Sequence, residues 1–409
     1  MTVRDDRGDV KQTTTGFRGP LMVQSLTSAK SKFLSLISHE SILKAGRYTG
    51  VSVEGQDPSV TMELYRFMVR LRRCEEALIE EYHPADEMRC PIHFCIGQEA
   101  MPAALSVLLD EDDYLFSHHR THGYYLAKKS PMRALFAELY GKVTGANGGR
   151  AGSQDISYAP SNFYGGAILT GAVAIAGGAG LAFQLRGKPG ISVAGFGEGA
   201  TDEGVFWEAI NYAALRKLPM VFTCENNLYA TSSHQLKRHV ADNISERVRT
   251  FGLETQTLFG NDVVTIYNAV AEATRKARTG HGPQFIESYT YRWNGHVGPE
   301  DDDYVCYRPA SELAFWKDNC PIDLLEERMT EAGQLTPEIR SAVIKDVDAE
   351  IADAFEFAKS SPFPVAESWD EANFSHATPV ADRLLIDVEA TQSAAAFDGD
   401  QADAIPKPY

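Results

Sequence analysis

The stretch Val193-Ala-Gly-Phe-Gly-Glu-Gly-Ala-Thr-Asp-Glu-Gly204, read together with Glu225-Asn-Asn-Leu-Tyr229, decides how this chain folds. An apolar strand over Ile191 to Phe196 runs into a glycine turn carrying one carboxylate, Glu198, and a helical segment follows over 203–217. A second apolar strand, Met220 to Cys224, ends in the amide pair Asn226-Asn227. Strand, helix and strand in that order make a parallel βαβ unit with a right-handed crossover. Such a unit sets a carboxylate beside an amide oxygen at the C-terminal edge of the sheet, where α/β proteins bind phosphorylated ligands.

Working outward, Gln284 to Tyr291 is a third apolar run, preceded by a helical segment at 263–279. Leu64, Phe67, Met68, Leu71 and Leu78 recur at helical spacing and open the main domain. Pro91 to Gly97 reads as a loop, Gln98 to Leu109 as a helix, and Met132 to Tyr140 as another ended by Gly141. Helices over about 311–360 finish the domain. The expected fold is α/β, a mostly parallel sheet flanked by helices on both faces. Residues 1–57 lack a strong pattern, apart from a short amphipathic helix near Lys32 to Leu43, and read as an extension lying on the surface or on a partner. The main domain is expected over 58–376. Residues 377–409 turn to Ala, Asp, Gln and Pro and read as a flexible tail.

With 409 residues, 44% hydrophobic and 23% charged, the chain has the composition of a globular enzyme. A formal charge of −17 argues against nucleic acid or an anionic membrane as main partner, since both need clustered Lys and Arg. The 6 cysteines show no paired metal-ligand spacing and read as buried thiols. Asp5, Asp6 and Asp9 do not suit a transit peptide, and a cytoplasmic location is expected. The uncharged run from Asp155 to Arg186 is too rich in glycine, and too polar at Ser161, Asn162 and Thr170, for a membrane span. It reads as a ligand-facing loop followed by a tightly packed internal helix.

Gly195-Phe-Gly197-Glu-Gly-Ala200 also satisfies a GxGxxA dinucleotide fingerprint, with Glu225 where a ribose ligand would sit. The acidic residue inside the turn argues against it, because it would repel a bare pyrophosphate unless a cation lay between them. Carboxylate, amide oxygen, backbone carbonyl and diphosphate oxygens form a hard oxygen set suited to Mg²⁺. Amides at the helix start near Ala200 suit the remaining phosphate oxygens.

Gly197-Glu-Gly-Ala-Thr-Asp-Glu-Gly204 through Asn226-Asn-Leu-Tyr229 resembles the thiamine diphosphate motif. More closely, it is similar to the α subunit of the decarboxylating component of 2-oxo acid dehydrogenases, the pyruvate, acetoin and branched-chain group. The resemblance extends over roughly 60–360. His93-Phe-Cys-Ile-Gly-Gln-Glu-Ala100 resembles that family's loop-helix entry, and Asp113 to Gly123 its arginine and histidine segment. Thr144 to Arg150 with Gly152-Ser153 resembles its glycine loop, Gly260-Asn-Asp262 its turn before a helix, and Thr290 to His296 its active-site loop.

By position, the resemblance implies that Glu198, the Asn227 side chain and the Tyr229 carbonyl hold Mg²⁺. It implies that Arg120 and Arg292, with His119, grip the diphosphate of thiamine diphosphate, a task that suits fork-shaped guanidinium donors. Gly197 belongs to the same turn, the Gly199 and Ala200 amides complete the cradle, and backbone near Ile168 and Thr170 meets the aminopyrimidine. His296 and His122 face the reactive carbon, where a small 2-oxo acid adds. A separate β subunit supplies the activating carboxylate, and a lipoyl acyltransferase takes the acyl group. Each residue has a plainer competitor, a salt-bridged arginine or a packing histidine, and the agreement of several segments is what weighs against it. Departures are Glu198 where the family has Asp, Asp155 and Asn294 where histidines are common, and Val297 in place of a serine that some relatives phosphorylate. They leave open a thiamine-dependent carbon–carbon ligase or transketolase-like half, and a cofactor-free regulatory paralogue.

Overall fold

Residues 39–85, 87–302 and 305–365 are described by the computed structural model. Most of the expected N-terminal extension and the whole expected tail lie outside them. Strands β1 (Tyr114–Ser117), β2 (Ser157–Tyr158), β3 (Phe163–Gly165), β4 (Ser192–Gly197), β5 (Met220–Asn226), β8 (Glu254–Phe259) and β9 (Gln284–Tyr289) form one 7-stranded sheet. Its order is β2-β3-β1-β4-β5-β9-β8, and every pair is parallel except β2 with β3. A separate antiparallel pair, β6 (Tyr229–Ala230) with β7 (Ser233–His234), follows β5 directly.

Alternation along the central strands builds a core on each face, because successive side chains point to opposite sides of a sheet. Val193, Val221 and Ile286 join a cluster that includes Leu64, Met101 and Val270. Ala194, Phe196, Phe222 and Phe285 join the opposite cluster with Val173, Phe206 and Ile210. Every residue of β5 and β9 is buried, as expected for parallel strands covered on both faces. Glycine at 195 lets an aromatic ring cross β4. A Cβ there would lie 2.4 Å from Tyr124, whose hydroxyl donates to Glu225 at 2.6 Å. Glu225 is therefore a structural acceptor under the sheet edge, which removes the ribose role considered for it.

Chain order matters for the site. β1 is followed by β3 on one side of it and by β4 on the other, so the connections diverge between β1 and β4. Such a divergence opens a crevice at the C-terminal strand ends.

Two segments differ from expectation. Ile42, Tyr48, Val51 and Val53 are buried in the main core, and the Tyr48 hydroxyl donates to Asp262 at 2.8 Å. The chain thus enters the body well before residue 58. Helix Gly171–Arg186 does pack on β1 and β4, with Gly180 close to Met220, but it is not internal to this chain. Ile175 and Leu185 are 62% and 77% exposed, and Leu215 of the neighbouring helix Gly204–Arg216 is 75% exposed. Val205 and Tyr212 are partly exposed as well, so these two packed helices carry several apolar side chains that no described residue covers. Among the described residues, no helix is long and apolar enough to cross a membrane.

Candidate active site

Four neighbouring strand ends deliver the polar residues. His118, His119 and Arg120 follow β1, Glu198 follows β4, Asn227 follows β5, and Arg292 to His296 follow β9. Between them lies a cleft of about 240 Å³. Its walls include His119, Arg120, Gly197, Glu198, Gly199, Ala200, Asn227, Tyr229 and His296, all expected from sequence. His93, His118, Gln154, Ala167, Leu169, Ala230 and Thr231 complete the lining.

At one end the turn chemistry is tight. Glu198 opens a short 3₁₀ turn, Glu198–Asp202, whose first amides have no partner within the turn itself. Across from it the chain leaves β5 through Leu228 at φ 75°, a left-handed conformation that branched side chains seldom adopt. This turn is held by Asn227 Oδ1, which accepts from the Tyr229 amide at 3.2 Å, and it puts both residues on the cleft wall. Asn227 Nδ2 also donates to Gln98 Oε1 at 3.3 Å, leaving its oxygen oriented for a further donor or cation.

Glu198 is almost wholly buried and is not free. Arg238, from the short helix Gln235–Arg238, reaches its Oε1 at 2.5 Å and also binds Asp202, which in turn pairs with His239. Burial pushes the Glu198 carboxyl up to about 7, with Arg238 opposing the rise. The extra methylene of Glu over Asp extends the carboxylate further from its turn. The guanidinium occupies one of its oxygens where a cation is expected.

At the other end the imidazoles gather. The His93 and His119 rings lie 4.7 Å apart, His93 and His296 5.0 Å, and His119 and His296 5.4 Å, all inclined rather than stacked. Burial, then the Arg120 charge and then the neighbouring ring of His296 hold His93 down at about 2. Burial, Arg120 and Arg292 hold His296 at about 4. His119 is lowered further still, by burial and then by His118 and Arg120. These three are therefore neutral at physiological pH, each with one donor and one acceptor nitrogen. His118 Nδ1 accepts from the Arg120 amide at 3.2 Å. Its Nε2, fully buried, has no hydrogen-bond partner and lies 3.8 Å from Glu225 Oε2.

The active-site loop is cross-braced. Asp302 accepts from the His296 amide at 2.8 Å and so braces the loop from the segment that follows it. Arg308 binds the Arg292 and Trp293 carbonyls at 2.9 Å. Gly97, at φ 94°, lets the His93 loop approach this strand end so closely that a Cβ would fall 2.4 Å from the Tyr291 carbonyl.

Four expected site residues stand elsewhere. His122 is fully buried, with Nδ1 at 2.5 Å from Glu75 and Nε2 at 2.9 Å from Ser153, and does not line the cleft. Both its nitrogens are engaged behind the wall, where it supports the glycine loop. Arg292 is buried with its terminal nitrogens on the Asn294 and Thr231 carbonyls and the Tyr307 hydroxyl, while its Nε has no partner. Thr170 stands just before helix Gly171–Arg186 without capping it, and its hydroxyl donates to Glu203 instead. Ile168 is 73% exposed, whereas its neighbours Ala167 and Leu169 face the cleft. Asp155, one of the departures, accepts from the Ala167 amide at 2.7 Å and so fixes that loop.

Residues 66–367 match the model of the dehydrogenase E1 component family. The pyruvate dehydrogenase E1 component subunit alpha of Rhizobium meliloti is 32% identical over 341 residues, 82% of this chain and 97% of that protein. The corresponding subunit of Zymomonas mobilis is 34% identical over 318 residues, 76% of this chain and 87% of that protein. The alpha subunit of acetoin:2,6-dichlorophenolindophenol oxidoreductase from Cupriavidus necator is 32% identical over 314 residues, 76% of this chain and 93% of that protein. The chain belongs to the dehydrogenase E1 component family. Within it, the chain is an alpha subunit of the thiamine diphosphate-dependent 2-oxo acid dehydrogenase type, an oxidoreductase of the pyruvate and acetoin group.

Proposed function

We propose that this alpha subunit binds thiamine diphosphate through Mg²⁺ in the cleft between β1, β4 and β5, and completes its active site with a β subunit. The reading rests on one observation above all. A carboxylate, an amide oxygen and a turn carbonyl (Glu198, Asn227, Tyr229) line the same cleft as Arg120 and the histidines, at the ends of adjacent parallel strands. That donor set suits a small hard cation and a diphosphate. Arg238 holds one Glu198 oxygen, so the cation takes the other or displaces the guanidinium, and Arg238 remains close enough to neutralise phosphate charge.

In this reading Arg120, His119 and the Gly199 and Ala200 amides hold the diphosphate, with Gly197 keeping the wall low. Arg292 contributes through its unpaired Nε or after exchanging its carbonyl partners. Backbone at Ile168 and Thr170 borders the aminopyrimidine. When bound, thiamine diphosphate supplies a carbon nucleophile that adds to the oxo group and accepts the electrons released with CO₂. His296, neutral and hydrogen-bonding, donates to or accepts from the oxygen of the substrate's reacting carbon. His122 acts one layer back, relaying the Glu75 contact to the Ser153 loop.

The uncovered apolar side chains of Ile175, Leu185 and Leu215 support a partner subunit, and we assign them to the contact with the β subunit that brings the activating carboxylate. The substrate is a small 2-oxo acid, and the acyl group passes to a lipoyl acyltransferase. A cytoplasmic location belongs to the same reading. The test is reconstitution with a transketolase-like β subunit, followed by calorimetric titration with thiamine diphosphate and Mg²⁺ and a dye-reduction assay across 2-oxo acids. Binding with turnover of one acid is the expected result. Consumption of an aldehyde without an oxidant would assign a ligase instead, and no cofactor binding in the complex would leave a regulatory paralogue.

A further inference from the structure

The corner formed by His93, His119 and His296 offers a further kind of chemistry in the same cleft, one that would compete with the diphosphate contact proposed for His119. One ring nitrogen from each lies within 4.8 Å of the others, and among the described residues this is a group able to hold a metal ion with side-chain nitrogen alone. We propose that His93, His119 and His296 form a binding site for one borderline-soft divalent transition cation, of the Zn²⁺ class, distinct from the oxygen-lined Mg²⁺ position at Glu198.

Geometry carries the argument. Zinc held by three imidazoles at 2.0–2.1 Å in a tetrahedron needs nitrogens about 3.3 Å apart. The rings are inclined at 72° and 83° about His93 rather than stacked, and one nitrogen of each already lies within 4.8 Å of the others, so the triad closes by side-chain rotation. The fourth position then faces the cleft and stays open to water or an oxygen ligand. Gln154 lies with its amide 3.3 Å from His93 Nδ1. Turned so that its oxygen accepts the Nδ1 proton, it directs the Nε2 lone pair outward, as orienting partners of metal-bound histidines do.

Two features of the site select the ion. Its donors are all imidazole nitrogens with no carboxylate among them, which suits a borderline-soft ion better than a hard one. The buried Arg120 repels a dication, which disfavours ions held by charge alone, such as Mg²⁺ and Ca²⁺. Ions that gain more from nitrogen donation are favoured in its place. A bound ion would stand at the histidine wall of the cleft, and Zn²⁺ and a 2-oxo acid would then exclude each other or bind as a chelate.

The site is testable on the full chain without cofactor, so its outcome does not depend on the proposed reaction. After stripping with a chelator, equilibrium dialysis against Zn²⁺ should give one ion per chain at micromolar affinity or tighter, unaffected by millimolar Mg²⁺. Co²⁺ in its place should show the intense visible absorption of a four-coordinate site. His93→Gln, His119→Gln and His296→Gln should each weaken binding at least 30-fold and bleach the cobalt spectrum. Gln154→Leu should weaken it about tenfold. His239→Gln and Cys306→Ser, outside the corner, should leave it unchanged. Circular dichroism identifies any variant that fails to fold, and the remaining variants decide the question. Absence of Zn²⁺ binding below about 100 μM, or binding that survives all three histidine replacements, overturns the proposal.

Discussion

The two ends of the cleft are built on opposite electrostatic plans. At the cation end every charge has an answer: Glu198 meets Arg238, Arg238 meets Asp202, and Asp202 meets His239. At the histidine end the rings touch one another but carry little charge, and His118 keeps an unpaired Nε2. A closed ion network binds by exchange, so a ligand must displace or share an existing partner. Neutral, weakly paired imidazoles are free to move protons and ligands. The first end is a lock for a fixed group, and the second is where bonds are expected to change.

The comparison can be broken most severely at His296. His296→Ala should lower kcat about 100-fold or more in the reconstituted complex, the usual scale for a lost acid–base group. Cofactor affinity, measured by calorimetry, should shift less than threefold. An equal loss of affinity would mean that the two ends are not separable. Glu198→Ala acts on the other side: cofactor binding in Mg²⁺ should weaken about 30-fold, the scale of one lost charged contact. Glu198→Asp should retain most of the affinity, because the shorter acid still reaches the turn.

Proton dependence sharpens the contrast. Glu198 has a carboxyl pushed up to about 7, and only its ionised form binds a cation. Mg²⁺-dependent binding should therefore strengthen about tenfold from pH 6 to pH 8 and then level off. Stability of the unliganded chain moves the other way through this group. Its folded value lies above the ordinary 4.5, so its contribution is complete below about 4.5 and is lost as pH rises through about 7. Melts of Glu198→Gln beside the parent should show that component of the slope removed. The smallest effect is expected from Arg238→Met. At pH 8 and above it should tighten Mg²⁺ about threefold by freeing the carboxylate, and a loss of binding instead would show that Arg238 is part of the diphosphate grip.

Much of this arrangement is legible in the sequence where apolar runs are long. The strands at 191–196, 220–224 and 284–291 lie within two residues of β4, β5 and β9, and the helices at 203–217 and 263–279 within a residue. β1 and β3 are too short to show a period. β8 (Glu-Thr-Gln-Thr-Leu-Phe) is a half-exposed edge strand with two apolar residues at its end. At the site, segments were legible and side-chain directions were not. His122 sits in the right segment yet faces Glu75, while His118 and His119 beside it face the cleft. His93 carried a signal, since it opens the loop-helix segment. Arg238 carried none, because its contact with Glu198 depends on the β6–β7 turn folding back across the site.

Leu228 shows what that turn entails. A leucine at φ 75° stores on the order of 1–2 kcal/mol, and the same bend fixes Asn227 and Tyr229 on one wall. The side chain offsets that cost, because Leu228 is fully buried in the main core. Glycine there should relieve the bend but leave a cavity, so the melting temperature should fall while the grip on the cation loosens. The packing of a residue that touches no ligand thus holds the shape of the binding wall.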